Sequence, residues 1–321
     1  MEAKAIISLG MNGKFTVQRY MRRVRAFERL GRINRPDLAK IRLEPNFEEF
    51  KAYQQEIVRV MNEKKGVVAD AEVINEAARR LAARTGSLGS ADYTLILRPG
   101  SDDPVHYGHV SAGLGAVIYL QSKGIPASGA VFATGGRVPD KPEISAFAHR
   151  EAMTRIALAE FTPFITPTSI RNLSAEMLGI GRTKEERRAL CDIAAFSWLF
   201  AMNPHIAWYY ITGSDKINGY GKKNEEQLVF HTLYRNKVKI IYFERDDEPA
   251  DPKFIGMRQW LQKLWDEGWF VRSEVSSYSG LSATKLRGML AANDPNVLSE
   301  MDAQVFEYIK RNGLMELYGL N

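Results

Sequence analysis

From residue 91 onward the chain alternates short apolar runs with longer stretches of helical spacing. "YTLILR" (93–98), "GAVFAT" (129–134), "AWYYIT" (207–212), "KIIYF" (239–243) and "FVRSEV" (270–275) have the length and the β-branched and aromatic content of strands. Between them, "HVSAGLGAVIYLQSKG" (109–124) and "SAFAHREAMTRIALAEF" (145–161) read as helices. Strands that alternate with helices form a parallel sheet covered on both faces. The expected fold is therefore α/β, a Rossmann-like doubly wound sheet of about five strands.

The first 90 residues follow a different pattern. "FTVQRYMRRVRAFERLG" (15–31) puts Val17, Tyr20, Met21, Val24, Phe27 and Leu30 on one helical face. Arg19, Arg22, Arg23, Arg25 and Arg29 fall mostly off it, and Gly31 suits a helix stop. "NFEEFKAYQQEIVRVM" (46–61) opens with Asn46 followed by Glu49, a capping-box pattern, and Phe47, Phe50, Ile57 and Met61 recur at helical spacing. A third helix is expected over 70–86, and "TGSLGS" (85–90) is the best linker. The chain thus divides into a basic helical extension, 1–90, and an α/β domain, 91–321. The extension is expected to pack on the core or on another subunit.

Charge follows the same division. The first 90 residues carry a net +7 against +6 for the whole chain, so the remaining 231 sum to −1. A basic segment is either a solvated face or a surface for an anionic partner. The single cysteine, Cys191, excludes an internal disulfide, and its flanks "RRALCDIAAFSW" read as an amphipathic helix holding an inert thiol. No apolar run approaches the roughly 20 residues needed to span a bilayer, and the N-terminus has no signal-peptide pattern. A cytoplasmic protein without membrane partners is expected.

In doubly wound sheets ligands bind beyond the carboxyl ends of the strands. Three loops lie there, all rich in Gly, Ser, Asp or basic residues. "RPGSDDPVHYGHV" (98–110) follows the first strand. Gly100 and Ser101 let backbone N–H groups approach an anion, and the next helix points its positive end the same way. His106 and His109, one turn apart, would share a side and donate to phosphate oxygens; alternatively, one caps the helix and the other packs. "TGSDK" (212–216) follows the third strand: Asp215 can accept from a ribose hydroxyl and Lys216 can meet phosphate, although Gly-Ser-Asp is also common turn chemistry. "SSYSGLSATKLRG" (276–288) follows the last: Ser282 can cap a helix, Thr284 can donate to an anion, and Arg287 can grip phosphate with two prongs. Alone, that stretch is a capped helix with a surface arginine.

Taken together, the loops resemble the HxGH-motif nucleotidyltransferase superfamily over roughly residues 92–318. "GSDDPVHYGH" matches the motif G-[ST]-F-D-P-[IV]-H-x-G-H, and "SATKLR" matches S-[ST]-T-x-[IV]-R, in the same order along the chain. Within that superfamily the chain looks most like the nicotinamide or nicotinic acid mononucleotide adenylyltransferases. "AHREAM" (148–153) is similar to their H-R-x-x-M helix, "TGSDK" to their G-x-D loop, and "VFEYIKRNGLMELY" (305–318) to their closing helix.

The resemblance implies an enzyme that transfers AMP from ATP to a pyridine mononucleotide and releases pyrophosphate. His106, His109 and Arg287 would be catalytic. The histidines would face charge developing at the α-phosphorus; Ser282, Thr284 and Arg287 would hold the leaving pyrophosphate. Gly100 and Ser101 would line the nucleotide cleft, and Asp215 would face the adenosine. Lys141, Arg150 and Lys216 are candidates for the substrate phosphate. Mg²⁺ would arrive with ATP, with no metal site on the protein. The partners would be ATP and a phosphorylated small molecule rather than nucleic acid, and homo-oligomers are common in the family.

Four departures from the family pattern stand out. Asp102 occupies the place of the motif's Phe, which packs beneath the loop. Ala283 and Leu286 are mild changes in the second motif. The tryptophan that stacks on the pyridine ring after the G-x-D loop has no clear counterpart: Tyr220 is nearby, and Trp208 precedes the loop. Arg245 resembles a nucleotide-side arginine. The alternatives are a cytidylyltransferase, an adenylyltransferase for another phosphorylated acceptor, or a nucleotide-binding regulatory or nucleic-acid-associated module.

Overall fold

The structure is a computed structural model; it describes residues 17–64, 71–85, 93–135, 144–177, 184–220, 224–244, 249–250, 259–273 and 282–319. Six strands, all parallel, form one sheet in the order β3-β2-β1-β4-β5-β6: β1 Thr94–Gly100, β2 Ala127–Thr134, β3 Ile165–Thr168, β4 Ala207–Gly213, β5 Lys239–Phe243 and β6 Phe270–Arg272. The order reverses between β1 and β4, so the ends of these two central strands open onto the crevice where ligands bind in such sheets. The expected doubly wound sheet is present, with one strand more than the sequence pattern showed. That strand, β3, is only four residues long and contains Pro167. It lies at the sheet edge, where a missing N–H leaves no central ladder bond unmade.

Helices cover both faces. On one lies α4, Tyr107–Ser122, which is buried nearly all round, from Gly108 and Val110 to Leu120. A helix that is apolar on every side needs cover on both. The sheet covers its inner side. Its outer side meets α1, Val17–Arg29, through Tyr20, Met21, Val24 and Phe27. The arginines Arg19, Arg22, Arg25 and Arg29 stay on the exposed side of α1.

The opposite face carries α2 (Phe47–Glu63), α3 (Ala71–Thr85), α7 (Lys184–Met202) and α9 (Asn224–Arg235), packed around Tyr53, Ile74, Phe196, Trp198 and Phe230. The N-terminal helices therefore pack on the sheet's own two cores, as expected. Asn46 caps α2 by accepting from the Glu49 N–H at 2.8 Å. Two expectations fail locally. Phe47, the first residue of α2, is 62% exposed, and Leu30, just past the end of α1 at Arg29, is 68% exposed. Cys191 is half-buried on α7.

The remaining helices are α5 (Phe147–Leu158), α6 (Ile170–Met177), α8 (Ser214–Tyr220), α10 (Gln259–Asp266), α11 (Ala283–Ala291), α12 (Ala303–Arg311) and α13 (Leu314–Gly319). A third core joins α11–α13 to α5 and to the turn before α4, through Leu286, Leu290, Val305, Ile309, Met153 and Val105. It brings the C-terminal helices against the end of β1. Among the described residues no helix is long and apolar enough to cross a membrane.

Candidate active site

β1 ends at Gly100, and α4 begins at Tyr107. His106 occupies the N-cap position with extended backbone, yet its side chain makes no capping bond. It turns instead onto His109, the two rings stacked with centroids 3.7 Å apart. His106 is 4% exposed, and neither of its ring nitrogens has a partner; the buried Nδ1 of His109 has none either. Buried polar atoms are seldom left in this state, since each costs about 1–3 kcal/mol. Here three such atoms gather at one helix N-terminus, two on His106 and one on the Asp102 side of His109. Burial, aided by the charge of Arg98 and opposed by Asp102, pushes His106 down to about 3. His109 is likewise held well below the usual imidazole range, by burial, Arg98 and His106. Both rings are neutral near pH 7, each with one N–H to donate.

Beneath them lies a charged floor. Asp102, 1% exposed and in the left-handed region (φ 56), forms an ion pair with buried Arg98 and accepts from the Thr134 hydroxyl at 2.8 Å. Asp is one of the few residue types that take up this backbone readily. The acid in the place of the motif's Phe is thus accommodated by a charge partner four residues back. Arg98 packs over the Phe132 ring at 4.9 Å and folds across Gly100, where a Cβ would lie 2.5 Å from its Nη1. Gly100 leaves that space free for Arg98, and its carbonyl accepts from the Gly135 N–H at 2.7 Å.

The second motif meets the first here. Ser282 caps α11, accepting from the Lys285 N–H at 3.1 Å. Arg287, one turn on, is buried. It donates to the Asp103 carbonyl at 2.9 Å and to the Thr284 hydroxyl at 3.4 Å. Tyr318 donates to the Asp103 carboxylate at 2.9 Å, and the Tyr107 N–H bonds to the Glu300 carbonyl. The "SATKLR" helix, the closing helix and the histidine turn are thereby locked together.

The other expected residues are distributed differently. Arg150 is 1% exposed and donates to the carbonyls of Ser145, Ser101 and Gly135. It braces three loops from beneath and does not stand open to a phosphate. Ser101 contributes its carbonyl to this brace. Asp215 and Lys216 are half-buried in the first turn of α8, at the end of β4 and beside the crevice. Trp208 is buried within β4 against Phe200, which leaves it unable to stack on a ligand. His149 is satisfied by Tyr308 at 3.0 Å. Lys141, Arg245 and the side chain of Tyr220 lie outside the described residues. Among those described, no group of His, Cys, Asp and Glu could hold a metal ion.

Arg98, Thr134 and Arg171 were not singled out from the sequence. Arg171 reaches the Gly100 and Ala133 carbonyls at 3.0 and 2.9 Å while held by Asp192. Arg98 does carry a signal: a charge ending an apolar strand, with an acid four residues on.

No family model matches the sequence, and no curated protein matches it. Among solved structures, the chain is similar to Plasmodium falciparum nicotinic acid mononucleotide adenylyltransferase complexed with NaAD, at 16% identity and a TM-score of 0.50. The match covers 70% of this chain and 98% of that one. The same enzyme complexed with APC gives 17% identity and a TM-score of 0.49 at the same coverage. The chain thus shares the Rossmann-like fold of the enzyme in the NaAD complex.

Proposed function

We propose that the protein is a nucleotidyltransferase that moves AMP from Mg-ATP to a pyridine mononucleotide and releases pyrophosphate. The reading rests on one observation: two stacked imidazoles with unpartnered nitrogens at the N-terminus of the helix beside the strand-order reversal. Arg287, tied to the same turn, supports it, as does the likeness in fold.

The acceptor phosphate attacks the α-phosphorus in line. The bond from that phosphorus to the bridging oxygen breaks, and pyrophosphate leaves carrying the negative charge. Chemistry of this kind needs positioning and charge stabilisation but no covalent enzyme intermediate. The His106 and His109 N–H groups face the oxygens on which charge grows, reinforced by the positive end of α4. Ser282, Thr284 and Arg287 take the leaving pyrophosphate, Asp215 faces the adenosine, and Lys216 faces the acceptor's phosphate. Mg²⁺ enters as part of the nucleotide substrate.

The test is pyrophosphate release with Mg-ATP or Mg-CTP and the amide or acid mononucleotide in turn, with His109→Ala as the blank. Turnover is expected with ATP and one pyridine mononucleotide, and loss of at least about 100-fold in the variant. Burial of Trp208 favours one second reading, an acceptor without a pyridine ring. Silence with both mononucleotides but turnover with another phosphorylated acceptor would establish it.

A further inference from the structure

We infer that Asp102 is a positioning residue for His109. Its carboxylate, fixed by Arg98 and Thr134, holds the imidazole with Nδ1–H toward Asp102, so that the proton gained when an anionic substrate enters sits on Nε2 and is donated to the substrate's phosphate. The inference deepens the phosphate-binding reading above and rests on it.

Three observations carry it. The first is distance: His109 Nδ1 lies 3.6 Å from Asp102 Oδ1, less than 1 Å beyond the range of a charge-assisted N–H···O bond. The second is restraint. Asp102 is buried, its Oδ2 accepts from Thr134, and its Oδ1 is shared between Arg98 and the direction of His109. A carboxylate held this way can accept from His109 only if the ring proton is on Nδ1.

The third is that packing alone does not call for a charge here. Replacing a buried ion pair by apolar side chains of similar volume is often neutral or stabilising. This chain keeps Arg98 and Asp102 buried beside the histidine turn and places Asp102 in a left-handed conformation to do so.

The groups facing His109 are Arg98 from β1, Asp102 from the turn and His106 from the start of α4. Arg98 and His106 disfavour a charged ring. Asp102 is the neighbour whose charge favours one. When an anionic substrate enters, the ring can gain a proton and sit between phosphate and Asp102 as an imidazolium.

The experiment is ¹⁵N NMR of the histidine rings in the full chain, with His109 assigned by the signal missing from His109→Gln. In the free protein, the neutral His109 ring is expected to carry its proton on Nδ1. Adding Mg²⁺ with inorganic tripolyphosphate should raise its pKa. Asp102→Asn, which keeps the shape and the left-handed backbone, should abolish the tautomer preference and lower the pKa of the bound ring. It should also cut kcat about 10- to 100-fold with a smaller change in KM, and move the acid limb of the pH–rate profile.

A His109 ring protonated on Nε2 in the wild-type protein overturns the inference, as does an Asp102→Asn protein with unchanged tautomer and pKa. If Asp102→Asn fails to fold, Thr134→Val, which frees one carboxylate oxygen without removing charge, must show a smaller shift in the same direction. Absence of any response to tripolyphosphate, with the Nδ1 tautomer intact, would instead overturn the phosphate reading of the site.

Discussion

Helices α1–α3 and the turn between Arg98 and His109 are both well buried, but by opposite means. The helices bury apolar residues, with Glu56 and Asn75 as the exceptions, and each of these has partners: Arg59 for the first, Ser197 and Thr232 for the second. The turn buries Arg98, Asp102, Asp103 and His106 within nine residues and leaves three ring nitrogens without partners. Apolar burial is non-directional and tolerates small errors. A buried polar network stands only while each member keeps its partner. The contrast separates a layer that stabilises the sheet from a turn whose cost that layer offsets.

Breaking the turn should therefore have the largest effect. Asp102→Ala leaves Arg98 buried without its counter-charge and should destabilise by about 3–5 kcal/mol, read from the urea midpoint. A loss under 1 kcal/mol would mean the pair is not part of the fold. Acid acts at the same place. Because the folded-state pKa of His106 is pushed down to about 3, the unfolded chain takes up the proton first as pH falls. Stability should be full above about pH 6.5, the unfolded value, and fall as pH drops toward 3. His106→Asn should flatten that slope in a pH series of thermal melts.

Substitutions in the layer sharpen the contrast. Met21→Ala, under α1, should cost about 2–3 kcal/mol yet leave kcat of the folded fraction unchanged. A large fall in kcat would show that α1 governs the site through α4. Gly100→Ala pushes a Cβ into the Arg98 guanidinium and should cost about 1–3 kcal/mol while lowering activity, since it disturbs the floor under His109. Arg22→Ala, on the exposed face of α1, should stay within about 0.5 kcal/mol of wild type by calorimetry.

Much of this was legible in the sequence because periodicity records burial. The strands other than β3, the capping of α2 by Asn46 and the buried face of α1 follow from spacing alone. That His106 and His109 share a side follows from their spacing, though not that their rings stack; the role of "SATKLR" beside them came from motif resemblance, since no local pattern joins residues 184 apart. Two kinds of feature were hidden. β3 is too short and too interrupted by Pro167 to show a period. Arg150 reads as a phosphate contact but is a buried brace, because long-range packing decides whether an arginine's N–H groups reach a ligand or a carbonyl. Asp102 departs from the motif's Phe, and only the position of Arg98 shows how the loop accommodates it.

The most direct test of the central claim is label transfer. Full-length protein is incubated with [α-³²P]ATP, Mg²⁺ and each pyridine mononucleotide, and the products are separated by chromatography. The account predicts label in a dinucleotide, pyrophosphate in equal amount, and neither product with His109→Ala. Label that stays in ATP with every phosphorylated acceptor tried, from a protein that binds Mg-ATP, would contradict it.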